Sequence, residues 1–320
     1  MWIRSLEALG ILLVALGAGF VVLLYAAPAT LFQWIVRLWR RHVGLQRREV
    51  VLADGLRIVY LEGGSGEPLL LLHGFGANKD NFLAIAPYLT RHYRLIIPDI
   101  TGFGESSKPL PADYSPEMQA DRLQALLTAL GIGQRVHVGG NSMGGLITLY
   151  FGARHAGRTA SLWLLDPAAM FKGPLSETMT IAVHEKRNPF DIRTVDDLEQ
   201  LMHKVFVKPP PMPRPFLAVQ LQESLANRAV EEEVFRATMR ADVEPVIDGM
   251  AVPTLIVWGE QDQLVHPGGA PLLQALLANS QLRLMPGIGH VPQVEAPRQA
   301  AADYLAFHAS LSRSSPVVRP

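Results

Sequence analysis

Beyond position 48 the chain alternates between two hydrophobic periods. Short β-rich runs occur at Glu49–Leu52, Arg57–Leu61, Leu69–Leu72, Arg94–Ile97, Arg135–Val138, Ser161–Leu165, Thr254–Trp258 and Gln281–Met285. Stretches with helical spacing lie between the later ones, at Phe82–Leu89, Pro116–Leu130, Met143–Ala153, Ala270–Ala278 and Pro297–Leu311. The first two runs flank a turn at Asp54-Gly55 and predict an antiparallel pair. The β-α units that follow predict an α/β fold with a mostly parallel sheet of about eight strands. This regularity breaks between Ala168 and Ile247, a polar helical span carrying the prolines Pro209 to Pro215 and no clear strand. It reads as a helical cap inserted over the strand ends. There are no internal repeats.

A different pattern precedes the body. No residue from Ala8 to Val36 is charged, and Ala8–Ala29 is almost wholly apolar. At about 1.5 Å per residue this run spans about 33 Å, enough for a bilayer core of about 30 Å. It predicts an N-terminal transmembrane helix. The competing reading is a cleaved signal peptide, since Ala27-Pro28-Ala29 loosely offers small residues at cleavage spacing. The run is longer than the usual apolar core of a signal peptide, about 7–15 residues. Leu31, Trp34, Ile35 and Leu38 then follow i, i+3, i+4, i+7, with Gln33, Arg37, Arg40 and Arg41 on the other side. An amphipathic helix of this kind lies in the headgroup layer. The predicted division is an anchor at 1–30, a juxtamembrane helix at 31–47, a core in two parts at 48–167 and 248–320, and the cap at 168–247.

Composition sharpens this division. The 320 residues hold 29 basic and 29 acidic side chains, so net charge is zero and a nucleic-acid partner is disfavoured. Residues 1–48 contain six basic residues and one acid, a charge of +5, and the rest is therefore −5. A hydrophobic fraction of 49% against 18% charged excludes disorder. The absence of cysteine excludes disulfides, thiolate metal sites and a cysteine nucleophile. Arginines after the span favour a cytoplasmic body by the positive-inside rule, but long domains translocate regardless of charge, which leaves orientation open.

The chemistry concentrates at Gly140-Asn141-Ser142-Met143-Gly144, between a strand and an apolar helix. In that context G-x-S-x-G is a nucleophile elbow, where small neighbours let the serine stand clear above the sheet. A serine nucleophile needs a base oriented by an acid. His290 sits in a glycine-rich loop directly after the last strand, and Asp262 follows the strand Thr254–Trp258. Asp166 after the preceding strand is the rival acid, and Glu260 a weaker one; chain order alone does not separate Asp262 from Asp166. His137 within a strand points into packing, and His155, His184, His203 and His308 fall in helices. The backbone N–H groups of Phe75, in His73-Gly74-Phe75-Gly76, and of Met143 are candidate oxyanion-hole donors. His73 reads as a loop brace and Asp99 as a turn-forming carboxylate. The glycine-rich loop after Asp99 has no lysine in P-loop position, which disfavours phosphate binding; no cofactor and no metal site are expected.

His73–Gly76, Asp99–Ser106, Gly140–Gly145, Asp262 and Gly289-His290-Val291-Pro292 together resemble the α/β-hydrolase superfamily. Gly74-Phe75-Gly76-Ala77-Asn78-Lys79-Asp80-Asn81-Phe82 is similar to bacterial membrane-anchored lipases of the Moraxella and Psychrobacter kind and to PlaF-type phospholipase A of the inner membrane. The likeness covers almost the whole chain. It implies an α/β-hydrolase fold and ester hydrolysis of acyl glycerols or glycerophospholipids without a cofactor. It also implies a homodimer formed through the anchor region and a catalytic domain facing the periplasm. Two other readings compete: a carbon–carbon bond hydrolase of ring-cleavage products, and a non-catalytic membrane scaffold on a hydrolase fold.

Overall fold

The computed structural model describes Leu13, Ala15 and residues 17–314. All eight expected strands form: β1 (Gln46–Val51), β2 (Arg57–Gly63), β3 (Glu67–Leu72), β4 (Tyr93–Pro98), β5 (Val136–Asn141), β6 (Thr159–Leu165), β7 (Thr254–Gly259) and β8 (Ser280–Met285). They make one sheet in the order β1-β2-β4-β3-β5-β6-β7-β8. β1 pairs antiparallel with β2, and β2 antiparallel with β4; every later pairing is parallel.

The strand period of two divides the core. Leu70, Leu72, Ile96, Val136, Val138, Leu162, Leu164 and Ile256 point to one face, and Leu69, Leu71, Leu95, Ile97, Trp163, Leu165, Leu255 and Val257 to the other. Continuous apolar strands suit a sheet covered on both sides. Full burial of one such leucine contributes about 1.5–3 kcal/mol.

The helices follow in chain order: α1 (Gly17–Ala26), α2 (Pro28–His42), α3 (Ala86–Leu89), α4 (Pro116–Ala129), α5 (Met143–Arg154), α6 (Glu177–His184), α7 (Val195–Val205), α8 (Arg214–Arg240), α9 (Glu244–Ile247), α10 (Gly269–Leu276), α11 (Pro292–Glu295) and α12 (Pro297–Ser314). Leu126 and Leu127 of α4, Leu146 and Ile147 of α5 and Leu273 of α10 cover the first face. Ala86 and Leu89 of α3 and Tyr304 and Phe307 of α12 cover the second, with Trp163 and Tyr304 stacked at 4.4 Å. Helices α6 to α9 lie between β6 and β7, where the cap was expected.

The N-terminal region departs from expectation. Among the described residues no single helix is long and apolar enough to cross a membrane. The expected span Ala8–Ala29 lies partly outside those residues, and its described part bends by 119° between α1 and α2. The break falls at Ala27 (φ −146°, ψ 54°) before Pro28, whose ring disfavours helix in the preceding residue. Helix α2 also starts before position 31 and stops before 47. Gly44, at φ +75°, closes it: the N–H groups of Gly44 and Leu45 donate to the carbonyls of Arg41 and Arg40. Arg47 and Arg48 therefore belong to β1.

Helix α2 turns Phe32, Val36 and Arg40 toward the body. Phe32 meets Phe216 of α8 at 5.3 Å, and Val36 packs on the second core face. Of the expected stripe Trp34, Ile35 and Leu38 are exposed, with Trp39 beside them, whereas Leu31 is half-buried. Arg40 was expected among the headgroup-facing arginines. Its guanidinium instead makes a bidentate pair with Asp80 at 2.7 and 2.6 Å, a carboxylate geometry that matches its fork.

Candidate active site

Strand β5 runs into α5 through Ser142, which takes φ 56° and ψ −119°. This is a left-handed backbone that a non-glycine residue adopts only when its surroundings over-determine it. The two motif glycines do so by close approach. A Cβ on Gly140 would lie 2.2 Å from the Gly144 carbonyl oxygen, and one on Gly144 would lie 2.2 Å from that of Leu72. The Ser142 N–H donates to Leu165 O at 3.0 Å, and Ala168 N–H donates back to Ser142 O at 3.0 Å.

Loops after β7 and β8 bring the other two side chains together. His290 Nδ1 lies 2.7 Å from Asp262 Oδ2, and both residues are buried. Asp262 Oδ1 accepts the N–H groups of Leu264 at 2.7 Å and Val265 at 3.0 Å. Of the competing acids, Asp262 holds the ring. Glu260 is exposed, and Asp166 is buried beside Asp262 but spends Oδ1 on Gly259 N–H at 2.9 Å. Burial, then the charge of Asp262, pushes the Asp166 carboxyl well above the usual carboxylate range.

The loop after β3 passes over the serine: a Cβ on Gly74 would lie 3.2 Å from Ser142 Cβ. His73 braces this loop, with Nε2 accepting Ile100 N–H at 3.0 Å and Nδ1 meeting Gly74 O at 2.8 Å. Burial lowers the His73 pKa, which suits a neutral ring that accepts a hydrogen bond. Asp99 ties its turn together by accepting the N–H groups of Lys79 at 2.8 Å and Glu105 at 2.7 Å. Lys79 Nζ, buried, adds ion pairs to Asp99 at 2.7 Å and Glu105 at 2.8 Å. His137 is buried, with Nδ1 2.8 Å from Ser161 Oγ.

A cavity of about 230 Å³ opens over Ser142 and His290. Phe75, Phe171, Met179, Phe190, Phe235 and Met239 give it an apolar wall shared by core and cap. The Phe75 ring meets Phe190 at 5.6 Å and Phe235 at 6.3 Å, so the loop beside the serine is packed directly against cap side chains.

Two residues of this site carry no motif signal. Asn141 Nδ2 donates to Leu165 O at 3.0 Å and to His290 O at 2.9 Å. Glu295 accepts Gly289 N–H at 2.9 Å and Val207 N–H at 2.8 Å, joining the histidine loop to the cap. The cap also accepts His290 N–H directly, at Val205 O, 2.9 Å. Asn141 occupies a variable position of G-x-S-x-G, and Glu295 is one acid among 29; only the fold reveals their partners.

Residues 67–202 and 204–297 match the family described as alpha/beta hydrolase fold. The chain is similar to Lipase 1 of Psychrobacter immobilis, at 40% identity over 284 residues, covering 87% of this chain and 89% of the relative. It is equally similar to Lipase 3 of Moraxella sp. (strain TA144), at 40% over 296 residues, covering 90% and 93%. Among solved structures, a membrane phospholipase A described as a bacterial virulence factor superposes with a TM-score of 0.85 and 36% identity, covering 98% of this chain and 99% of that one. The chain belongs to the α/β-hydrolase fold family and is a carboxylic ester hydrolase.

Proposed function

We propose that this enzyme is a membrane-anchored lipase or phospholipase A that cleaves acyl esters through an acyl-enzyme on Ser142. The observation that carries the reading is the hydrogen-bonded His290–Asp262 pair set beside a strained serine at the mouth of an apolar cavity. His290 takes the Ser142 proton as the hydroxyl attacks the ester carbonyl, then gives it to the leaving alcohol. Asp262 fixes the ring and stabilises its cationic form. The N–H groups of Phe75 and Met143 receive the tetrahedral oxyanion, each such donor being worth about 3–4 kcal/mol of transition-state stabilisation. The acyl chain lies along the cap's phenylalanines and methionines, and water under the same base releases it.

The exposed Trp34, Ile35, Leu38 and Trp39 dock in the headgroup region of a bilayer. The apolar leader is a single-pass anchor in a bacterial inner membrane with the catalytic body in the periplasm, and the anchor region carries a homodimer contact. The relatives' names, two lipases and a membrane phospholipase A, support substrates of this class. The test is labelling by a fluorophosphonate probe together with hydrolysis of p-nitrophenyl butyrate, and both are expected to vanish in Ser142→Ala. A wild-type protein that is unlabelled and inert would end this reading. Profiling the purified protein against acylglycerols and glycerophospholipids of graded chain length then fixes the substrate.

A further inference from the structure

Behind the His290–Asp262 pair sits a second carboxyl group. Asp166 closes β6 in the left-handed region, at φ 46°, and is fully buried. Its N–H donates to Val257 O at 3.0 Å and its Oδ1 accepts Gly259 N–H at 2.9 Å, so it clips the end of β7 from which the Asp262 loop departs. Its Oδ2 is buried and receives no donor. Ligating atoms of Asp166, Asp262 and His290 all lie within 4.8 Å of one another. The titratable groups facing Asp166 are Asp262 from the loop after β7, His290 from the loop after β8, and Glu295 from α11.

Two carboxylates sharing a dry pocket do not both ionise. Asp262 has the surroundings of the charged partner, with two backbone donors and the imidazole. Asp166 has the surroundings of the neutral one, with a single donor and an oxygen left over. A proton on Oδ2 satisfies that oxygen and gives Asp262 a further donor.

We propose that Asp166 is a positioning residue acting as a neutral acid, whose Oδ2–H donates to the Asp262 carboxylate and, through it, sets the orientation and basicity of His290. The inference rests on the roles given to Asp262 and His290 above. By drawing charge from Asp262, the donor tempers the pull of that carboxylate on the imidazole it orients.

Asp166→Asn tests this directly, because an amide reproduces a neutral acid: its oxygen accepts Gly259 N–H, its nitrogen donates to Asp262, and asparagine tolerates the left-handed backbone. The expected result is kcat/KM within about twofold of wild type, with the acidic limb of its pH profile unmoved. Asp166→Leu removes the donor and is expected to move that limb to higher pH. A limb that moves to lower pH in Asp166→Asn overturns the proposal, because it means a negative charge was deleted. A loss of about tenfold or more at every pH also overturns it, since amide and acid would then not be interchangeable.

Folding gives a readout independent of activity. Unfolded Asp166 releases its proton near pH 4, about the free carboxyl value, whereas the folded chain retains it. Wild type therefore loses stability relative to Asp166→Asn as pH rises above about 4, and the gap in denaturant midpoint widens toward pH 8. A flat or narrowing gap sinks the inference. An inert wild type would sink the proposed function instead, so the two failures are distinguishable.

Discussion

The side-chain amide of Asn141 donates to the backbone carbonyl of His290 at 2.9 Å, joining the nucleophile's neighbour to the base across 149 residues of chain. The same nitrogen holds the end of β6 through Leu165 O. Asn141→Ala frees the buried His290 carbonyl, while Leu165 O keeps the Ser142 N–H, and is expected to cost about 1–3 kcal/mol of stability for the one left unsatisfied. Because the base loses its tether to the elbow, kcat/KM is expected to fall about 10²-fold, the size of effect a misplacement near 1 Å produces. Steady-state kinetics beside a denaturant titration checks both, and unchanged kinetics would show that the tether is dispensable.

Glu295 is the corresponding tie between the histidine loop and the cap. Glu295→Ala leaves the N–H groups of Gly289 and Val207 without their acceptor. We expect lower kcat and faster proteolytic cleavage in the proline-rich segment after Val207. Glu295→Gln, which keeps an acceptor but loses the charge, is expected to fall between wild type and alanine. Limited proteolysis followed by mass spectrometry reads the cleavage site.

The Lys79 cluster predicts an acid response. Burial works against ionisation of Glu105, yet the hydrogen bond and charge of Lys79, then those of Arg47, bring its carboxyl down from 4.5 to about 2. A depressed folded value gives stability that is complete above the unfolded pKa, so this contribution is present above pH 4.5 and is lost as pH falls toward about 2. Lys79→Met should flatten that part of the pH–stability curve. It also strips the cation from fully buried Asp99, a loss of about 3–5 kcal/mol at neutral pH. Urea midpoints at pH 7, 4 and 3 for both proteins decide it.

The exposed stripe of α2 predicts a split between substrates. Transfer of a large apolar side chain from water is worth about 1.5–3 kcal/mol. The double change Trp34→Ser and Leu38→Ser is therefore expected to lower hydrolysis of phospholipid in vesicles by about tenfold or more. Cleavage of soluble p-nitrophenyl butyrate should stay near wild type. Equal losses on both substrates would mean that the stripe supports the fold rather than contact with lipid.

Short continuous apolar runs made the central strands of the sheet legible, because Leu69 to Leu72 and Leu255 to Trp258 are apolar on both faces and have no other place to go. The elbow was legible for a similar reason: only glycine fits at 140 and 144. Phe82–Leu89 did not survive as one helix. Its first residue closes a 3-10 turn at Lys79–Phe82, and α3 begins at Ala86, with Pro87 in its first turn. Choosing between Asp166 and Asp262 needed a distance, since both follow adjacent parallel strands and chain order treats them alike. Arg40 was misread because helical spacing gives a side chain's direction but not whether Asp80 will be waiting there.

The bidentate pair between Arg40 and Asp80 bears on how this enzyme can be handled. Asp80 lies five residues past Phe75, in the turn that also holds buried Lys79, and Phe32 covers Phe216 on the cap. Deleting the first 45 residues would uncover an unpaired carboxylate and an aromatic face in a single cut. Helix α2 is thus structural masonry for the body, and a preparation truncated past it would report on a different catalyst.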